Sequence, residues 1–201
     1  MRNDKGAWHL ETLNLRNPDG ALSSKAVGRN DGAGRHQTRL DFELTASDVG
    51  KLLNRLGYVD AIRRGTAKLA GNMQWNGPLT GIDYPSLTGE MTVSAENGQF
   101  NKLEPGVGRL LGLLSLQSLS RRLTLDFRDI FSEGLAFDSI EGSTVVTSGV
   151  MRTVEPLRIN SPAAQIQIQG EANLKNETQN LQVLVRPQIG NLFGGDESSF
   201  L

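Results

Sequence analysis

The chain has 201 residues, 37% of them apolar, 21% charged and 5% aromatic, a composition that suits one or two folded domains with a core of their own. Its 21 basic and 22 acidic side chains give a formal net charge of −1, so no broad basic face is expected to neutralise phosphates along a duplex, and nucleic acid is not an expected partner. The lack of cysteine excludes a disulfide framework, a thiolate zinc site and a cysteine nucleophile, and leaves the redox compartment open.

Many glycines (23) with few aromatics favour strands and turns over a helical bundle. The opening MRNDKGAWHL is polar, with no apolar run of the kind a signal peptide needs, and no stretch approaches the roughly 20 apolar residues of a spanning helix. The strand-like start and the loose tail GGDESSFL read as cuts in a longer protein. We expect one β-rich domain over 1–187 and a flexible tail over 188–201.

In chain order, residues 8–15 alternate imperfectly up to the turn Asn17-Pro18-Asp19-Gly20, which predicts a hairpin. Residues 29–37 read as a loop, and Leu40, Phe42 and Leu44 share one strand face. The period then changes. Val49, Leu52, Leu53 and Leu56 fall at i, i+3, i+4 and i+7, which predicts an amphipathic helix over 48–56, with Ser47 as its cap, Asp48 in the first turn and Gly57 as its stop. Residues 66–75 read as a strand closed by Gly77-Pro78. Residues 87–100 contain Met91, Val93 and Ala95 in alternation, followed by Asn97-Gly98, the favoured two-residue hairpin turn.

Residues 108–127, GRLLGLLSLQSLSRRLTLDF, place six leucines in ten positions and two arginines just after them. On a helical wheel Val107, Leu110, Leu111, Leu113 and Leu114 fill a broad apolar arc, with Gly108, Gly112 and Ser115 opposite. A helix covering the sheet is the first explanation of this arc, and a lipid-facing helix is the second. Arg121 and Arg122 suit either a solvated turn or the level of phospholipid headgroups. Gly106, Gly108 and Gly112 mimic a dinucleotide loop, but the third glycine is one place late and no βαβ unit surrounds it.

Beyond this run the text is strand and turn, over 123–127, 135–140, 144–154, 157–159, 164–169 and 181–186. Residues 164–169 and 181–185 alternate strictly, which gives one wet face and one apolar face. The spacing predicts a meandering antiparallel sheet. His9 and His36 have no acidic or hydroxyl partner at a recognisable spacing. Asp126, Asp129, Glu133 and Asp138 alternate with apolar residues as the wet side of strands would. No catalytic residue, metal site or cofactor is expected.

The stretch PGVGRLLGLLSLQSLSRRLTLDFRDIFSEGLAFDSIEG, residues 105–142, closely resembles the signature block of the YhdP branch of the AsmA-like family of Gram-negative envelope proteins. Residues 46–58, 65–78 and 157–187 are similar to flanking parts in the same order. Ser120 stands where the family pattern has proline, and the family's further C-terminal segment does not follow Pro187. The resemblance implies a piece from near the C-terminal end of a very large periplasmic protein, anchored in the inner membrane by a helix outside this chain. It implies a long curved antiparallel sheet with an apolar concave face that moves phospholipid toward the outer membrane and supports its barrier, and the two short amphipathic helices read from the residue pattern would pack on or cap that face. An alternative is a structural module that closes the bridge and docks an envelope protein. Under the first reading the candidate lipid-facing or groove-capping residues are Leu110, Leu111, Leu113, Leu114, Leu116, Leu119, Val49, Leu52, Leu53, Leu56, Ile166 and Ile168. Arg109, Arg121 and Arg122 are the candidate headgroup contacts.

Overall fold

The structure is a computed structural model that describes residues 2–4, 7–30, 36–101 and 134–188. Among the described residues ten strands form one antiparallel sheet in strict sequence order, so each of these strands is hydrogen-bonded to the one before and after it, as the predicted meander requires. They are β1 (Arg2–Asp4), β2 (Ala7–Asn17), β3 (Gly20–Asn30), β4 (His36–Ala46), β5 (Ile62–Asn76), β6 (Thr88–Phe100), β7 (Leu135–Thr147), β8 (Val150–Asn160), β9 (Ala164–Asn173) and β10 (Thr178–Pro187). The sheet is open: its order runs from β1 to β10 without the two pairing.

Among the described residues there is one α-helix, α1 (Val49–Arg55), between β4 and β5. The predicted helix over 48–56 is confirmed one residue shorter at each end. Its cap is Asp48 and not Ser47, because the Asp48 carboxylate accepts the Lys51 N–H at 3.0 Å, satisfying a donor that the first turn cannot bond internally. At the other end Gly57 takes φ +90°, its N–H bonds the Asn54 carbonyl and the Tyr58 N–H bonds the Leu53 carbonyl, the paired bonds of a Schellman stop. The helix is tied to the first hairpin through Asp19. This buried carboxylate pairs with Arg55, and its carbonyl accepts the N–H groups of Ser47 and Asp48 at 2.9 and 3.3 Å. Leu52 lies against Gly20, and Gly50 lies against the backbone of Ile62 to Arg64, so α1 covers one end of the sheet.

Two turn readings are corrected. Asn97-Gly98 is not a hairpin turn, since both residues lie inside β6, which pairs with β5 on either side of them, from Thr66↔Glu96 to Ile62↔Phe100. Asn97 has φ +55°, and on β5 Arg64 and Gly65 have φ +56° and +86°, all beside the pairs Thr66↔Glu96 and Arg64↔Gly98. Left-handed backbone at these positions switches the alternation of the two strands, which puts Ile62 and Phe100 in the same core as Ala67 and Ala95. Residues 144–154 are not one strand. Ser148 and Gly149, at φ +50° and +75°, make a two-residue turn between the paired Thr147 and Val150, as a type I′ hairpin requires. The second predicted helix, the strand over 123–127 and most of the loop over 29–37 fall outside the described residues.

Among the described residues two clusters form the core. The larger joins Ala95, Leu135, Phe137, Ile159, Ala164, Ile166 and Ile168, and the smaller joins Trp75, Leu87 and Val146. Phe137 lies over its cross-strand partner Gly98 and meets Phe100 with ring centroids 5.2 Å apart at 47°.

Two measurements check these packing assignments. A methyl at Gly98 would enter the Phe137 ring, so Gly98→Ala should cost about 1–3 kcal/mol of unfolding free energy in urea. Removing the cap with Asp48→Ala should cost about 1 kcal/mol at neutral pH. The backbone hydrogen bond from Lys51 holds the Asp48 carboxyl below its ordinary value of 3.8. The cap's contribution is therefore present above that pH and fades as the pH falls through the lower folded value, so the gap between wild type and Asp48→Ala should hold at neutral pH and narrow below pH 3.8.

Candidate functional site

Residues paired across a ladder lie on the same side of the sheet, so the observed registers can be followed from strand to strand. One line runs Leu15, Leu22, Leu44, Leu69, Val93, Gly142, and its far part is Leu157, Ile168, Val183. The next line toward the α1 end runs Gly20, Ala46, Ala67, Ala95, Ile140, Ile159, Ile166, Val185. On the other flank lie Leu10, Ala26, Leu40, Met73 and Gly89, then Val146, Met151 and Ala172. These lines cross the strands at right angles. The first line takes eight strand-to-strand steps from β2 to β10 and is about 38 Å long, and the other two take seven steps each, about 34 Å.

The opposite side is polar. Lys68 pairs with Glu43 at 2.8 Å, Arg152 with Glu171 at 3.0 Å and Arg39 with Asp41 at 3.7 Å, while Asn72 donates to Glu90 and Gln169 to Gln182, both at 2.9 Å. These groups are about half exposed, so they contribute solubility more than stability.

The apolar side is unevenly covered. Phe42, Leu44, Leu69, Met91 and Val93 on β4 to β6, and Leu181, Val183 and Val185 on β10, remain half-buried. Ile166 and Ile168 share this face but are closed into the larger cluster, at 3% and 7% exposure. On α1, Leu52 is buried, Val49 and Leu53 are half-buried, and Leu56 points into solvent at 62% exposure. The predicted contacts Leu110, Leu111, Leu113, Leu114, Leu116, Leu119, Arg109, Arg121 and Arg122 lie outside the described residues. The half-buried lines on β4 to β6 were missed as site residues. Their signal was present in the alternation of residues 40–44, 67–75 and 91–95.

For chemistry the face offers little. Among the described residues no group of three or more His, Asp or Glu side chains is placed to hold a metal ion. His9 is half-buried on β2 and His36 is exposed at the start of β4. What the arrangement can do is shelter hydrocarbon, because a half-open surface of Leu, Val, Met and Phe removes apolar area from water without any bond being made or broken. Among the described residues no helix is long and apolar enough to cross a membrane.

A family model described as YhdP protein matches residues 1–194. The intermembrane phospholipid transporter YhdP of Escherichia coli (strain K12) is 30% identical over 162 residues, which cover 80% of this chain and 13% of that relative. No solved structure matches the chain. With nearly its whole length inside the family match, the chain belongs to the YhdP family.

Proposed function

We propose that this chain is a segment of a lipid-carrying sheet in the Gram-negative cell envelope, whose apolar face takes phospholipid acyl chains as they pass between the inner and outer membranes. The observation that carries this reading is the set of apolar lines that cross the strands while staying half-open on β4 to β6. A sheet whose greasy side served only its own core would close that side. The name of the Escherichia coli relative, an intermembrane phospholipid transporter, supplies the cargo.

The energetics need no catalyst. An acyl chain leaving a bilayer exposes about 0.8 kcal/mol per methylene to water, and a continuous apolar lane lowers that cost along its whole path. A lane of similar side chains, Leu44, Leu69 and Val93 in sequence, offers no deep well in which a chain would stop. We assign α1 to closing one margin of the lane and the leucine run over 110–119 to capping it. The function is non-catalytic, the site is the envelope between the membranes, and the headgroup stays at the rim in water.

The test is native mass spectrometry with lipid extraction on the chain purified from a Gram-negative host without harsh detergent. Phospholipid should co-purify, and its ratio to protein should fall about tenfold or more when Leu69 and Val93 both become aspartate, because a charge on the lane disfavours hydrocarbon. Circular dichroism of the variant should keep the β spectrum. A lipid-free mass for the wild-type chain would overturn the proposal.

A further inference from the structure

We propose that the turn after α1, residues 56–60, is a preformed contact with the surface of an anionic bilayer. Leu56, Tyr58 and Val59 are 62%, 44% and 64% exposed, three large apolar side chains in four positions, which a solvated turn does not require. The turn is also held rigidly. The Schellman bonds fix its start. The Asp60 N–H bonds the Asn54 side-chain oxygen at 2.8 Å, and the Asp60 carbonyl accepts the Asn101 side chain at 2.6 Å. These apolar groups are therefore displayed by a braced loop, and little ordering is needed when they are covered.

Charge identifies what covers them. Arg63 and Arg64 follow the turn at the start of β5, and both are exposed and without an ion-pair partner among the described residues. Other nearby charges are matched within the fold, Arg55 by Asp19 and Lys51 by Asp48. This leaves the two guanidinium groups beside a turn whose own residues carry one carboxylate, Asp60. Apolar tips with an aromatic side chain and flanking cations fit the boundary between anionic headgroups and acyl chains. The contrasting loop at the other end of the strands makes the same point. Residues 77–87 expose Leu79, Ile82 and Tyr84 but contain no Lys or Arg, so they lack the electrostatic half of such a site. The contact at 56–60 requires no lipid in the lane, and stands or falls separately from it.

The chain has no cysteine, which permits a clean site-specific test. An environment-sensitive fluorophore is attached to Tyr58→Cys and, as a control, to Lys175→Cys in the β9–β10 turn at the opposite strand ends. The labelled chains are mixed with vesicles of phosphatidylglycerol and phosphatidylethanolamine. The label at 58 should shift to the blue with these vesicles while the label at 175 stays unchanged. Adding Arg63→Gln and Arg64→Gln should weaken the vesicle affinity about tenfold at low salt, and vesicles of phosphatidylcholine alone should give a smaller shift than the anionic ones. No shift at 58, an equal shift at 175, or indifference to the two arginines would each overturn the proposal.

Discussion

The constraint on which everything else depends is the register of the hydrogen-bonded ladder. In an antiparallel meander each pairing decides which residues share a face, and a slip of one residue would send every apolar side chain of a strand to the wet side. Here the pairings between β3 and β6 keep a constant register over most of their length, so separate period-two patterns join into continuous lines. The apolar face is a product of alignment. No single strand possesses it.

Where the alternation must change, the chain uses left-handed backbone. Arg64 and Gly65 on β5 and Asn97 on β6 take positive φ, and beyond them Ile62 and Phe100 join the larger core cluster beside Leu135 and Phe137. This lets one end of the sheet close into a core while the middle of β4 to β6 stays half-open. The glycines opposite large side chains serve the same division, since Phe137 lies over Gly98 and Leu157 over Gly142, filling surface that a strand glycine leaves bare. The closed end carries the larger core cluster, and the apolar residues in the middle of β4 to β6 stay half-buried.

Much of this was legible in the sequence because it rests on local periodicity. The Asn17 to Gly20 turn, the helix carrying Leu52 and Leu53, and the alternating strands at 164–169 and 181–186 are each written within about ten residues. The two misreadings have different causes. Asn97-Gly98 asks for left-handed backbone, a demand made equally by a hairpin turn and by a switch inside a strand, and only the neighbouring strand decides between them. Ser148-Gly149 sits in β-branched text that reads as continuous, so its turn was hidden. The open lane was visible strand by strand, but its continuity depends on long-range registers that no single segment encodes. The family resemblance was strongest over residues 105–142, most of which lie outside the described part of the structure, and was supported by residues 46–58, 65–78 and 157–187.

The central claim is that phospholipid rides on one side of this sheet. Val93 and Ser94 are neighbours in β6 whose side chains point to opposite faces, Val93 paired with Leu69 on the apolar side and Ser94 with Lys68 on the polar side. A photo-crosslinking residue placed at each position in turn, in the full-length protein in cells, reads the face directly. The account predicts a phospholipid adduct from position 93 and none from position 94. Equal adducts from both positions, or lipid captured only at 94, would contradict it.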